Sequence, residues 1–89
     1  MAISFATQIK PLFTAKDIGC MNGFGVFLDD FSYMSDPTPD GEFPDHANAR
    51  QVYARLTGAK TPQMPMGGPF WSTSQVGLFK QWMDEGFSP

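Results

Sequence analysis

Residues 9–21, Ile9-Lys10-Pro11-Leu12-Phe13-Thr14-Ala15-Lys16-Asp17-Ile18-Gly19-Cys20-Met21, hold the single cysteine and the first proline of the chain. Their reading decides the fold. Phe5, Ile9, Leu12 and Phe13 fall near one face of a helix that Ser4 can cap. Pro11 lacks an N–H and crowds the carbonyl of Thr7, so the helix is expected to kink or end there. Beyond it, Gly19, Gly23 and Gly25, with Met21, Asn22 and Phe24 between them, favour turns over regular structure.

Further along, Phe24, Val26, Phe27, Leu28, Phe31, Tyr33 and Met34 form a dense apolar cluster without a clean period, consistent with a short helix packed on several sides. Residues 35–45, SDPTPDGEFPD, read as an exposed loop. Six of the nine acidic residues, Asp29, Asp30, Asp36, Asp40, Glu42 and Asp45, fall in residues 29–45, without one Lys or Arg among them. Their spacing is not that of an EF-hand, and a solvated loop is the simpler reading. Asp45 can cap a helix carrying Ala49, Val52, Tyr53 and Leu56, with Gly58 as its stop and Arg50 and Arg55 on the solvent side. Residues 59–71 are rich in Pro and Gly and cross as an irregular loop. Ser72 and Gln75 form a capping-box pattern ahead of Val76, Phe79, Trp82 and Met83, and Gly86 can end that helix. Asp84 and Glu85 at its C-terminus oppose the macrodipole. The expected class is all-α, one small helical domain over residues 1–89 with long irregular loops.

With 89 residues, 42% of them hydrophobic and 15% aromatic, the chain has material for one core. A net charge of −3 without a Lys/Arg cluster removes the driving force for nucleic-acid binding. Apolar runs are too short for a membrane span. No basic and apolar leader opens the chain, and one cysteine cannot form an internal disulfide. Cytoplasm is therefore expected, unless an export signal has been trimmed.

Three segments resemble class I cytochrome c domains of the bacterial type. Ile9-Lys10-Pro11-Leu12-Phe13 is similar to the segment that precedes the haem-attachment motif in that family. Met64-Pro65-Met66-Gly67-Gly68-Pro69 resembles the M-P-x-G-G-P loop that supplies an axial methionine. Val76, Phe79, Trp82, Met83 and Gly86 look like the terminal helix, whose aromatic packs on the first helix. The likeness excludes an insert at about 22–45. The C-x-x-C-H motif is lost: Asp17 stands at the first cysteine and Met21 at the histidine, leaving Cys20 alone. The resemblance thus implies a cytochrome c-like fold without covalent haem. An unfilled haem space would cost about 24 cal/mol per Å3, so Phe24, Phe27, Phe31, Tyr33, Phe70 and Trp71 are expected to fill it.

No catalytic residue is assigned. Phosphate loops, zinc spacings and serine-nucleophile motifs are missing from the sequence, and Cys20 and His46 lie in unrelated segments. Non-covalent haem would draw on Met64 with Met21 or His46. Cu(I), which suits soft ligands, would draw on Cys20, Met21, Met64 and Met66. Methionine also fills irregular core gaps, and packing is the preferred reading of these residues. The expectation is a non-enzymatic interaction or accessory domain without cofactor, docking on a protein partner, such as a redox or metal-dependent enzyme, or on itself.

Overall fold

The computed structural model describes residues 3–60, 63–64 and 70–89. Its regular elements are helical, and no strand occurs among the described residues. A π-helical turn, Phe5–Ile9, runs into a 3-10 turn, Lys10–Leu12. Four α-helices follow: α1 (Ala15–Asn22), α2 (Phe31–Met34), α3 (Ala47–Thr57) and α4 (Thr73–Asp84). Helix α4 packs on α3 and on the N-terminal π-turn, and α2 packs on α3.

The first segment is not the α-helix expected from its periodicity. The Lys10 N–H, the last before Pro11, bonds to the Phe5 carbonyl. This wider turn relieves the clash that a proline ring makes with the carbonyl four residues earlier. Ser4 makes no side-chain cap; its hydroxyl donates to the Pro89 carbonyl, and Gln8 accepts from the Ser4 N–H.

The turn expected from Gly19 onwards begins later. Thr14 and Asp17 form a reciprocal capping box: Asp17 N–H donates to Thr14 Oγ1 at 3.1 Å, and Thr14 N–H donates to Asp17 Oδ2 at 3.2 Å. Residues 15–22 are therefore helical, with Gly19 inside. The helix stops where Gly25 adopts φ +78°, with Val26 N–H bonded to Met21 O and Gly25 N–H to Asn22 O. Such paired bonds around a left-handed residue are the Schellman arrangement. Helix α4 ends likewise. Gly86 has φ +104°, Phe87 N–H bonds to Trp82 O and Gly86 N–H to Met83 O. The Trp82 and Phe87 rings meet at 5.1 Å across that cap.

The capping box of Ser72 and Gln75 forms as expected, and Gly58 ends α3 in the left-handed region. Asp45 does not cap α3. That position falls to His46, itself left-handed at φ 47°, while the Asp45 carboxylate turns to His46 Nδ1 and Arg50. Arg50 and Arg55 are half-buried rather than on the solvent side; Arg50 lies 6.0 Å from the centre of the Phe87 ring. The acids closing α4 are also engaged. Lys80 donates to Asp84 at 2.6 Å, and Glu85 accepts from the Ile3 N–H at 2.8 Å.

Trp82 and Phe79 are fully buried and form the centre of the core. Trp82 meets Phe5 at 5.3 Å and Phe79 at 5.5 Å, and Phe79 also contacts Phe13, Tyr53 and Trp71. The expected fillers divide. Phe31, Tyr33 and Trp71 pack partly buried against the core, whereas Phe24, Phe27 and Phe70 are exposed by 71%, 38% and 54%. Leu28, Met34 and Met64 take the interior instead, because slender flexible side chains fit gaps that a rigid ring cannot.

Replacing Gly19, whose added Cβ would meet nothing within 4 Å, by Ala is expected to stabilise the protein by about 0.5–1 kcal/mol. Gly25→Ala, at positive φ, should destabilise it by about 1–2 kcal/mol. Chemical denaturation of the two variants measures both.

Candidate functional site

Met21 is placed by the last turn of α1, and Met64 by a backbone bond from its N–H to the Arg55 carbonyl at the end of α3. Both are buried. They line one small cavity of about 30 Å3 together with Val26, Tyr33, Asn48, Gln51, Val52 and Arg55. Space of that size holds about one water molecule. Asn48 Nδ2 donates to the Tyr33 carbonyl at 3.0 Å, closing the wall between α2 and α3. Burial raises the Tyr33 phenol above its ordinary pKa.

The other candidate residues lie elsewhere. Cys20 is exposed on α1 and does not line this cavity. Met66 lies outside the described residues. His46 stacks on Phe87, ring centres 3.8 Å apart and planes 4° from parallel. Its Nδ1 is 2.7 Å from Asp45 Oδ2, a contact that places a proton on Nδ1, because an ionised carboxylate only accepts. Among the described residues no hydrogen bond joins Cys20 to His46, so no nucleophile and base are paired. The structure thus joins Met21 to Met64 and leaves Cys20 and His46 apart from them.

The acidic loop is exposed from residue 37 to 42, yet its carboxylates are tied down. Asp36 accepts from the Thr38 N–H, and Asp40 from the N–H groups of Glu42 and Phe43. Gln51 of α3 donates to Asp40 and Glu42, and Lys60 approaches Glu42 at 2.6 Å. These bonds hold the carboxylates below their usual pKa: Asp40 first through Gln51, Glu42 first through Lys60, Asp36 first through Thr38. Asp45 is lowered by His46 and then by Arg50. The loop therefore acts as a brace across the start of α3.

Beside that brace runs an open groove of about 490 Å3 between α3 and α4. Its walls are Phe43, Pro44, Tyr53 and Met83, and its edges carry the Arg50–Asp45 and Lys80–Asp84 pairs. Each cation on it is matched by an anion, so it selects for neither charge. The sequence held no cue for this groove or for the His46–Phe87 stack. Thr14-x-x-Asp17, by contrast, is a visible capping signature, masked when Asp17 is read as a missing cysteine. No family model, curated protein or solved structure matches the chain.

Two outcomes follow for this region. Met64→Ala should cost about 2–5 kcal/mol and Met64→Leu less than about 1.5 kcal/mol, measured by denaturation. The carboxylates of the brace titrate lower in the folded chain than in the unfolded one. Their stabilisation is therefore present above the unfolded pKa of about 4 and is lost as pH falls through the folded values. Asp45→Asn should flatten the acid limb of a plot of melting temperature against pH.

Proposed function

We propose that the chain is a cofactor-free, cytochrome c-like scaffold that acts through its surface, docking on a protein partner without catalysis of its own. The observation that carries this reading is the cavity shared by Met21 and Met64. In the resemblance, those positions correspond to the histidine and methionine ligands of haem. Here both side chains are buried and line a space of about 30 Å3, which supports reading them as core filling instead of haem ligation. Asp17, standing at a lost cysteine, spends its carboxylate on the cap of α1. Cys20, at the other attachment position, faces solvent. In this reading the positions that would hold and ligate haem serve helix capping and core packing instead.

The surface supplies what the interior lacks, because Phe24, Phe27 and Phe70 are large apolar side chains left in water. A redox or metal-dependent enzyme is the class of partner that fold analogy suggests. One observation favours a second reading, Cu(I) binding: two thioethers share a cavity of atomic size.

Absorption spectra and elemental analysis after incubation with haem, and with Cu(I) under reducing conditions, separate these readings. The scaffold reading expects no Soret band and less than one equivalent of copper. A Soret band, or one copper per chain that disappears in Met21→Leu and Met64→Leu, would overturn it.

A further inference from the structure

Building on the docking role proposed above, we infer that the loop of residues 23–30 is the docking surface and that its occupant is an arginine-bearing amphipathic segment of a protein partner. Among the described residues the loop holds two of the three large apolar side chains left exposed, Phe24 and Phe27. It presents them from a fixed backbone. Val26 and Gly25 N–H groups close the Schellman cap of α1, Asp30 N–H bonds to Phe27 O at 3.2 Å, and Leu28 anchors the middle of the loop with no exposure. The Phe27 ring is braced edge-on by Tyr33 at 5.4 Å. Side chains held this way lose little freedom on binding, which favours affinity.

Charge identifies the occupant. Every other carboxylate of the chain has an internal partner, whereas Asp29 makes no hydrogen bond or ion pair among the described residues. Asp29 is exposed, beside exposed Asp30. No Lys or Arg occurs from residue 17 to 49, and the C-terminal, negative end of the α1 dipole opens onto the same loop. Two exposed phenyl rings and an exposed carboxylate within six residues of chain are complementary to guanidinium. Arginine stacks on aromatic faces and pairs with carboxylates in one geometry, which lysine does less well. The apolar faces of Phe24 and Phe27 call for aliphatic side chains beside the cation, hence an amphipathic segment.

The test uses the full chain and three amphipathic helical peptides of about 14 residues, each with leucines on one face and arginine, lysine or glutamate on the other. Binding is followed by amide shifts in NMR and by calorimetry. The arginine peptide should bind with shifts centred on residues 23–30, more tightly than the lysine peptide, and the glutamate peptide should not bind. Phe24→Ser with Phe27→Ser should weaken it by at least about tenfold. Asp29→Asn should weaken it about three- to fivefold and reduce its salt dependence; unchanged far-ultraviolet circular dichroism certifies the fold of both variants. The inference is overturned if no peptide binds, if the glutamate peptide binds as well, if the shifts map to the α3–α4 groove, or if sedimentation shows a second copy of the chain covering the loop. Haem or copper uptake would refute the scaffold reading by a separate signal, leaving this result to be judged alone.

Discussion

The contact on which the rest of the structure depends is the packing of Trp82 against Phe5 and Phe79. It joins the start of the chain to its last helix, and the neighbouring polar groups are arranged around it. The indole N–H donates to the Ser88 carbonyl at 2.7 Å, and the same carbonyl accepts from the Phe5 N–H at 3.0 Å. A buried indole needs such a partner, and the tail beyond Gly86 supplies it only because the left-handed glycine turns the chain back. A domain of this size has few kcal/mol of stability to lose. The largest buried side chain therefore sits where two sequence-distant elements and both chain ends converge.

A second constraint is volume. The space between the helices has to be filled to near-solid density. The aromatic residues of the 23–34 region do not close it alone. Methionine and leucine do, with Met21, Leu28, Met34 and Met64 all buried. Thioether side chains bend into irregular space at little rotamer cost, whereas Phe24 on a tight glycine-flanked turn has nowhere inward to go. The aromatic content expected to fill the core is thus divided between core and surface.

Electrostatics follow the same division of labour. Most acidic side chains serve local order: Asp17 caps α1, Asp30 caps α2, Asp40 and Glu42 tie the loop to Gln51 and Lys60, and Glu85 holds Ile3. Exposed pairs of this kind contribute little singly, but hydrogen bonds to fixed backbone N–H groups shape the loop where no regular structure does. His46 shows the cost of that shaping. It accepts a left-handed backbone opposite another left-handed residue, Phe87 at φ 59°, and the two rings stack. Strain at both positions is held by the surrounding packing.

By itself the sequence determined what depends on neighbours within a turn or two of chain. The apolar faces of α3 and α4, the Ser72–Gln75 cap, the stops at Gly58 and Gly86, a departure from the regular α-helix at Pro11 and the exposure of residues 37–42 were all legible, because capping, proline geometry and apolar periodicity act locally. Helix α1 was not anticipated: Thr14 and Asp17 carry its capping signature, but Gly19, Gly23 and Gly25 favoured turns. Only the tertiary structure decided which aromatic rings are buried, that Met21 and Met64 line one cavity while Cys20 and His46 do not, that Asp45 serves Arg50 instead of the helix it precedes, and that Asp29 has no partner among the described residues. Those outcomes turn on contacts between segments far apart in sequence, such as Phe5 with Trp82, and no local pattern encodes which distant surface will arrive to cover a given side chain.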